Sequence, residues 1–180
     1  YDSGKMGRAL YCEGEYNHPV TVHDKNMLSP GKLHWRNWLP RPYYITHALA
    51  PVLHITGNTP KKVNCKSVFA PETLKGTACR VGDLLSIILC EMEDGSLARV
   101  TGCAAWGGHG NWYRICGEKG NMENVRGSLE QVRVQYNSWN IPEGEEEVST
   151  RDAKWYDNEQ LNELAAKTGH GGGDYWVCYH

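Results

Sequence analysis

Residues 9–18, ALYCEGEYNH, alternate between apolar or small and polar side chains. That period of two is the signature of a strand. Leu10, Cys12, Gly14, Tyr16 and His18 are expected on one face, with Tyr11, Glu13 and Glu15 on the other. Residues 19–42 lose the period and hold four Pro, so they read as a long irregular loop. Loops of that length inside a compact domain are functional or disordered. The aromatics and cations within it, Trp35, Arg36, Trp38 and Arg41, argue for order.

The spacing then changes to that of a helix over residues 43–56, with Gly57 as its stop. Strand-like runs follow at 61–69, 84–92, 96–106, 111–117, 121–126 and 129–136. Asp94-Gly95 is a tight-turn pair, and Glu118-Lys119-Gly120 closes another hairpin. Leu84 to Cys90 is almost continuously apolar, as expected of a central strand covered on both faces. Residues 138–157 are polar and read as a solvated loop. Asp157 with Gln160 forms a capping box ahead of a short helix carrying Leu161, Leu164 and Ala165. Consecutive short strands joined by turns predict an antiparallel meander. The expected fold is α+β: one mostly antiparallel sheet of about six strands with helices on one face. The other face would need a partner, because exposed apolar sheet faces mark interfaces.

Bulk composition narrows the function. Nineteen basic residues stand against 21 acidic ones, a net charge of −2. That balance gives no electrostatic basis for binding nucleic acid or an anionic membrane. No apolar run approaches the roughly 20 residues of a membrane span. The chain opens Tyr-Asp-Ser-Gly-Lys, without an apolar leader, and its true N-terminus is expected upstream. The seven Cys (12, 65, 79, 90, 103, 116 and 178) include no CxxC pair, so reduced thiols in a reducing compartment are expected. Seven Trp and ten Tyr against one Phe fit a site that stacks on and hydrogen-bonds a polar ring; ordinary core aromatics read the same way.

Within the helical segment, Tyr43 and His47 are i,i+4 and Tyr44 and His47 are i,i+3. A Tyr/His pair on one face can serve as an acid/base device, or can be a packed His with two core Tyr. Pro51 cannot donate to the carbonyl of His47 and should bend the helix there. Trp35-Arg36 can stack on and hydrogen-bond a polyhydroxylated ring, or anchor the loop. The same two readings apply to Trp112 and Arg114. His18, His23, Asp24 and His34 follow no standard metal-ligand spacing, so no metal is expected. Gly108-His-Gly110 begins like a dinucleotide fingerprint, but Tyr113 stands where the third Gly should be. The triple Gly between His170 and Asp174 allows close backbone approach to a ligand.

The segment Trp35-Arg36, then Tyr44-Ile45-Thr46-His47-Ala48-Leu49-Ala50-Pro51, then Gly57, resembles the C-terminal domain of Gfo/Idh/MocA oxidoreductases. More narrowly it is similar to their branch of NAD-dependent glycosidases, such as α-N-acetylgalactosaminidase. The resemblance extends to Glu13-Gly14-Glu15-Tyr16-Asn17-His18, to Tyr113-Arg114 and Gly117 to Gly120, and to His170 through Asp174. Tyr43 falls where many members carry Asp, which favours the glycosidase-like branch. Trp112 stands where the glycosidases have Tyr, so their sugar specificity is not carried over.

The resemblance implies that residues 1–180 form one substrate-binding and oligomerisation domain, with an N-terminal Rossmann domain absent from this chain. It implies NAD or NADP, bound mainly by that other domain, and a sugar or glycoside held between the two. Tyr44 and His47 are the implied catalytic residues. Tyr16, His18, Trp35, Arg36, Tyr43, Trp112, Arg114, His170 and Asp174 are the implied substrate contacts. The implied reaction is transient oxidation of a sugar ring, redox-neutral overall, with a sugar or cyclitol dehydrogenase as the alternative. A non-catalytic sugar-binding or assembly module, and a metal-dependent lyase or isomerase, stand as further alternatives. A homo-oligomer formed through the open sheet face is expected. So is a cytoplasmic location, or an exported one if a signal precedes the chain. The fragment alone is expected to be inactive.

Overall fold

A computed structural model describes residues 1–19, 27–31, 33–35, 39–69, 83–102, 107–128, 130–152 and 159–169. The strands are β1 (Ala9–Asn17), β2 (Pro60–Phe69), β3 (Asp83–Met92), β4 (Leu97–Gly102), β5 (Gly110–Gly117), β6 (Gly120–Asn124), β7 (Gln131–Tyr136) and β8 (Val148–Asp152). The helices are α1 (Thr46–Thr56) and α2 (Glu159–Ala165), and one turn of 3-10 helix spans Arg41–Tyr43.

All eight strands form a single sheet in the order β2-β3-β4-β1-β5-β6-β7-β8. Two antiparallel runs, β2 to β4 and β5 to β8, are joined by β1, which lies parallel to β4 and antiparallel to β5. The sheet is therefore mixed, and larger than the expected six-stranded meander. Seven of the strands fall on the seven strand-like runs of the sequence, and the eighth, β8, lies within the segment read as a solvated loop. Its residues are mostly exposed on both faces, as an edge strand allows, so no apolar alternation marks it. Glu145 pairs with Arg151 of β8 and with Lys5, tying this edge to the start of the chain.

Helix α1 lies across β1, β4 and β5. Its buried Ala48 and Val52 join Cys12, Tyr16, Ile88, Cys90, Ala98, Val100 and Ile115 in the main core. The helix sits low because β1 offers no side chain at Gly14. A Cβ there would come 2.0 Å from the carbonyl oxygen of Ala48. Gly57 ends α1 with φ +64°, the left-handed conformation that glycine adopts without strain.

Three local expectations change. The helix begins at Thr46 rather than at residue 43, because Tyr44 takes φ −101°, ψ 66°, outside the helical region. Leu10 is 43% exposed, because the β1–β5 register shifts between Ala9 and Tyr11 and leaves Leu10 bulged. Strand β3 is covered on one face only: Ile88 and Cys90 are buried, whereas Leu89 is 42% exposed on the open side. That open side carries ion pairs rather than a plain apolar surface. Glu13 pairs with Arg99 at 3.1 Å and with Arg114 at 3.7 Å. Asp157, the proposed cap of the last helix, lies outside the described residues.

Candidate active site

The C-terminal end of β1, the N-terminus of α1 and the 3-10 turn converge on one group of rings. Tyr16, 8% exposed, stacks on the imidazole of His47 with centroids 4.4 Å apart and planes at 29°. Tyr44 stands 5.3 Å from His47 and 6.4 Å from Tyr16. Trp35 lies 5.6 Å beyond Tyr44, and His34 stacks on Trp35 at 5.8 Å. On the other side His18 is 5.7 Å from Tyr16, and His109 meets His18 edge-on at 4.9 Å. The result is a chain of seven rings from His34 to His109. Its floor is the buried Tyr16, and its exposed members include His47 and His109.

The backbone supports His47 from below. Pro51 leaves the His47 carbonyl without an i+4 donor, and the hydroxyl of Tyr113 donates to that oxygen at 2.5 Å. Burial pushes the Tyr113 hydroxyl up to about 12, so it remains a neutral donor throughout the neutral range. Tyr113 is itself held at the end of β6, where its N–H donates to the Asn124 side-chain oxygen at 2.6 Å. The Thr46 hydroxyl lies 3.3 Å from His47 Nδ1. The neighbouring thiols are inert by comparison: burial pushes Cys12 up to about 12 and also raises Cys90.

Of the residues singled out from sequence, Tyr16, His18, Trp35, Tyr44 and His47 come together. Tyr43 does not join the rings: it sits on the 3-10 turn, 70% exposed, because the helix that would have placed it beside His47 starts later. Trp112 and Arg114 stand on the opposite face of the sheet. They alternate with Tyr113, which faces α1. Trp112 pairs across strands with Glu15 and lies under Arg126, 4.3 Å from the guanidinium carbon. Arg114 pairs with Glu13. Arg36, His170 and Asp174 lie outside the described residues.

Two members were not anticipated. Tyr113 was read as a departure from a glycine pattern and as part of the family resemblance, with no role of its own, and His109 only as the middle of Gly108-His-Gly110. The available signal for Tyr113 was Pro51, which creates an acceptor that must be satisfied. No local signal marks His109, which meets His18 because Asn17 pairs with Gly110 across β1 and β5.

Among the described residues no group of three or more His, Cys, Asp and Glu could hold a metal ion. Nor does a described glycine turn lead into a helix in the manner of a phosphate cradle. Helix α1 is entered through Tyr44 and Ile45, with no side-chain cap. A shallow hollow of about 480 Å³ beside Lys5, Lys119 and Trp139 adjoins the N-terminal end of β1, where Lys119 N–H bonds to Met6 O. It is separate from the ring cluster.

No family model and no curated protein matches the sequence. Solved structures do match. An inositol dehydrogenase homologue complexed with NAD+ from Azotobacter vinelandii superposes with a TM-score of 0.59 at 16% identity, covering 84% of this chain and 38% of its own. Levoglucosan dehydrogenase in complex with NADH and levoglucosan gives 0.56 at 16%, with coverages of 84% and 41%. UDP-N-acetylglucosamine 3-dehydrogenase from Acidithiobacillus ferrooxidans gives 0.54 at 15%, with coverages of 99% and 50%. This chain spans half or less of the length of these three structures. What it shares with them, at such identities, is the α+β fold that carries the ring cluster.

Proposed function

We propose that this chain is the substrate-binding part of an NAD- or NADP-dependent dehydrogenase acting on a sugar or cyclitol, and that Tyr44 and His47 handle the proton. The observation that carries this reading is the imidazole of His47, stacked on a buried Tyr16 and flanked by Tyr44 at the mouth of the cluster. The fold supports it, since two of the matched structures are named as dehydrogenases of a sugar derivative or an anhydrosugar and a third as an inositol dehydrogenase homologue. The resemblance to Gfo/Idh/MocA C-terminal domains supports it further.

The chemistry that a bound nicotinamide supplies is acceptance of hydride from a ring carbon. Residues of this chain provide the rest. The aromatic faces of Trp35 and Tyr44 offer C–H and stacking contacts to a polyhydroxylated ring. His18 and His109 offer hydrogen bonds at the far end. The imidazole of His47 takes the proton from the hydroxyl being oxidised, with the Tyr44 hydroxyl as its partner. The dinucleotide phosphates belong, in this reading, to a separate N-terminal domain. Association through the open sheet face and a cytoplasmic location are further parts of the proposal. The redox-neutral glycosidase reading drew on Tyr43 standing where many family members carry Asp; the matched structures named above are dehydrogenases or a dehydrogenase homologue, which favours the dehydrogenase alternative.

The test uses the whole protein with NAD+ or NADP+ and a panel of sugars and cyclitols, followed by absorbance of the reduced nicotinamide. Net accumulation of NADH or NADPH is expected, and His47→Ala should lower turnover by about 10²–10⁴-fold. Wild-type turnover in that variant removes His47 from the chemistry. Release of a glycoside's leaving group without net NADH makes the protein redox-neutral, and sugar binding without either makes it a binding module.

A further inference from the structure

A carboxylate far from the rings in sequence bears on where Tyr44 sits. Asp83 opens β3 and is 2% exposed. A buried carboxylate is costly unless its oxygens are bonded. Its Oδ2 accepts the backbone N–H of Arg41 at 2.6 Å, a short bond of the charge-assisted kind. That N–H is a particular one. Pro40 and Pro42 carry no N–H, so Arg41 offers the one backbone donor between Leu39 and Tyr43. Asp83 takes it.

Two further features press the same turn onto the sheet. The β2–β3 register jumps from Val68↔Leu85 to Phe69↔Asp83, leaving Leu84 as an extra residue. This bulge brings Asp83 onto the same face as Ser86, the face covered by the 3-10 turn. Ser86 pairs with Gly102 on β4. A Cβ at Gly102 would come 2.3 Å from Ser86 Oγ and 2.9 Å from the Arg41 carbonyl oxygen, so glycine lets the Arg41 backbone lie against the strand. That same carbonyl oxygen accepts the N–H of Tyr44 at 3.0 Å. One peptide therefore has its N–H on Asp83 and the next its oxygen on Tyr44. Among the described residues Asp83 Oδ1 and Ser86 Oγ have no hydrogen-bond partner.

We infer that Asp83 is a positioning residue: by holding Arg41 it sets the ring of Tyr44 against His47. Its consequence for turnover rests on the function proposed for Tyr44 and His47; its consequence for geometry does not. The test is therefore structural first. In this chain, the nuclear Overhauser contact between the ring protons of Tyr44 and His47 is followed in Asp83→Leu, which keeps the branched four-atom side-chain skeleton and has no acceptor, and in Asp83→Asn, which keeps a carbonyl oxygen. The contact is expected to vanish in the Leu variant and to survive in the Asn variant. A folded Asp83→Leu protein that keeps the contact overturns the inference. Should Asp83→Leu not fold, Arg41→Pro removes the donor and leaves the carboxylate in place. Loss of the contact there supports the inference, and its retention overturns it. Turnover of the whole protein is measured alongside, with a loss of the order of 10–100-fold expected for the Leu variant, as for a misplacement near 1 Å. A lost ring contact with unchanged turnover upholds the positioning and counts against the acid/base reading of Tyr44.

Discussion

The hydroxyl of Tyr113 and the backbone carbonyl of His47 form a 2.5 Å hydrogen bond across the helix–sheet boundary. Pro51 creates the need for it and β5 meets it. A proline inside a helix removes one i+4 donor, and a carbonyl at a packed boundary is costly to leave unbonded. The bond also fixes the first turn of α1 to the sheet at the residue proposed to move the proton.

Tyr113→Phe is expected to lower stability by about 1–2 kcal/mol, read from urea unfolding. In a Pro51→Ala background the helix regains its own donor to His47, so the same substitution should cost less. A double-mutant cycle measures the difference. Equal costs in both backgrounds would show that the hydroxyl's contribution does not depend on the donor that Pro51 removes.

The pH dependence of Tyr113 has a definite sign. Its hydroxyl ionises near 10 when exposed and is pushed up to about 12 by burial. Between those values the unfolded chain has released the proton and the folded chain retains it. Stability contributed by this group is full below pH 10 and is lost as pH rises toward 12. Ultraviolet titration of tyrosinate should show a late-ionising tyrosine in the wild type that is missing in Tyr113→Phe.

Gly14→Ala places a methyl 2.0 Å from the Ala48 carbonyl oxygen, which is backbone and has no rotamer to yield. Helix α1 must rise from β1. A loss of about 1–3 kcal/mol or more is expected, along with weakening of the Tyr16–His47 stack. Thermal unfolding and the chemical shifts of the His47 ring report the two effects separately.

The described thiols should divide by burial. Cys65 is exposed on edge strand β2, whereas Cys12 and Cys90 are buried. A chromogenic disulfide reagent should modify Cys65 in the native protein and reach Cys12 and Cys90 only on unfolding. Mass mapping after a short exposure checks this, and early modification of Cys12 would place the β1–α1 packing in error.

Legibility in the sequence followed the range of the forces involved. The strand at 9–17, the turn at Asp94-Gly95 and the helix stop at Gly57 each arise from neighbours a few residues apart, and each is found where the pattern puts it. Tyr44 and His47 do meet, but through a bent turn followed by a helix rather than along one helix. Tyr43 shows the limit of the helical pattern, since one residue outside helical φ/ψ carries it away from His47's face. Strand β8 shows a different limit, because an exposed edge strand needs no apolar side chains to pair.

By itself the sequence determined the local grammar: alternating strands, a proline that strips a donor from His47, and glycines that leave room for a helix. It did not determine the order of the strands. That the first strand is inserted between β4 and β5 is decided by pairing between residues nearly a hundred positions apart, where no local propensity acts. That insertion places Tyr16 under His47, brings His109 to His18, aims Tyr113 at the orphaned carbonyl and turns Trp112 and Arg114 to the far side. A strand's alternation says which residues share a face, and only the packed sheet says which face carries the helix.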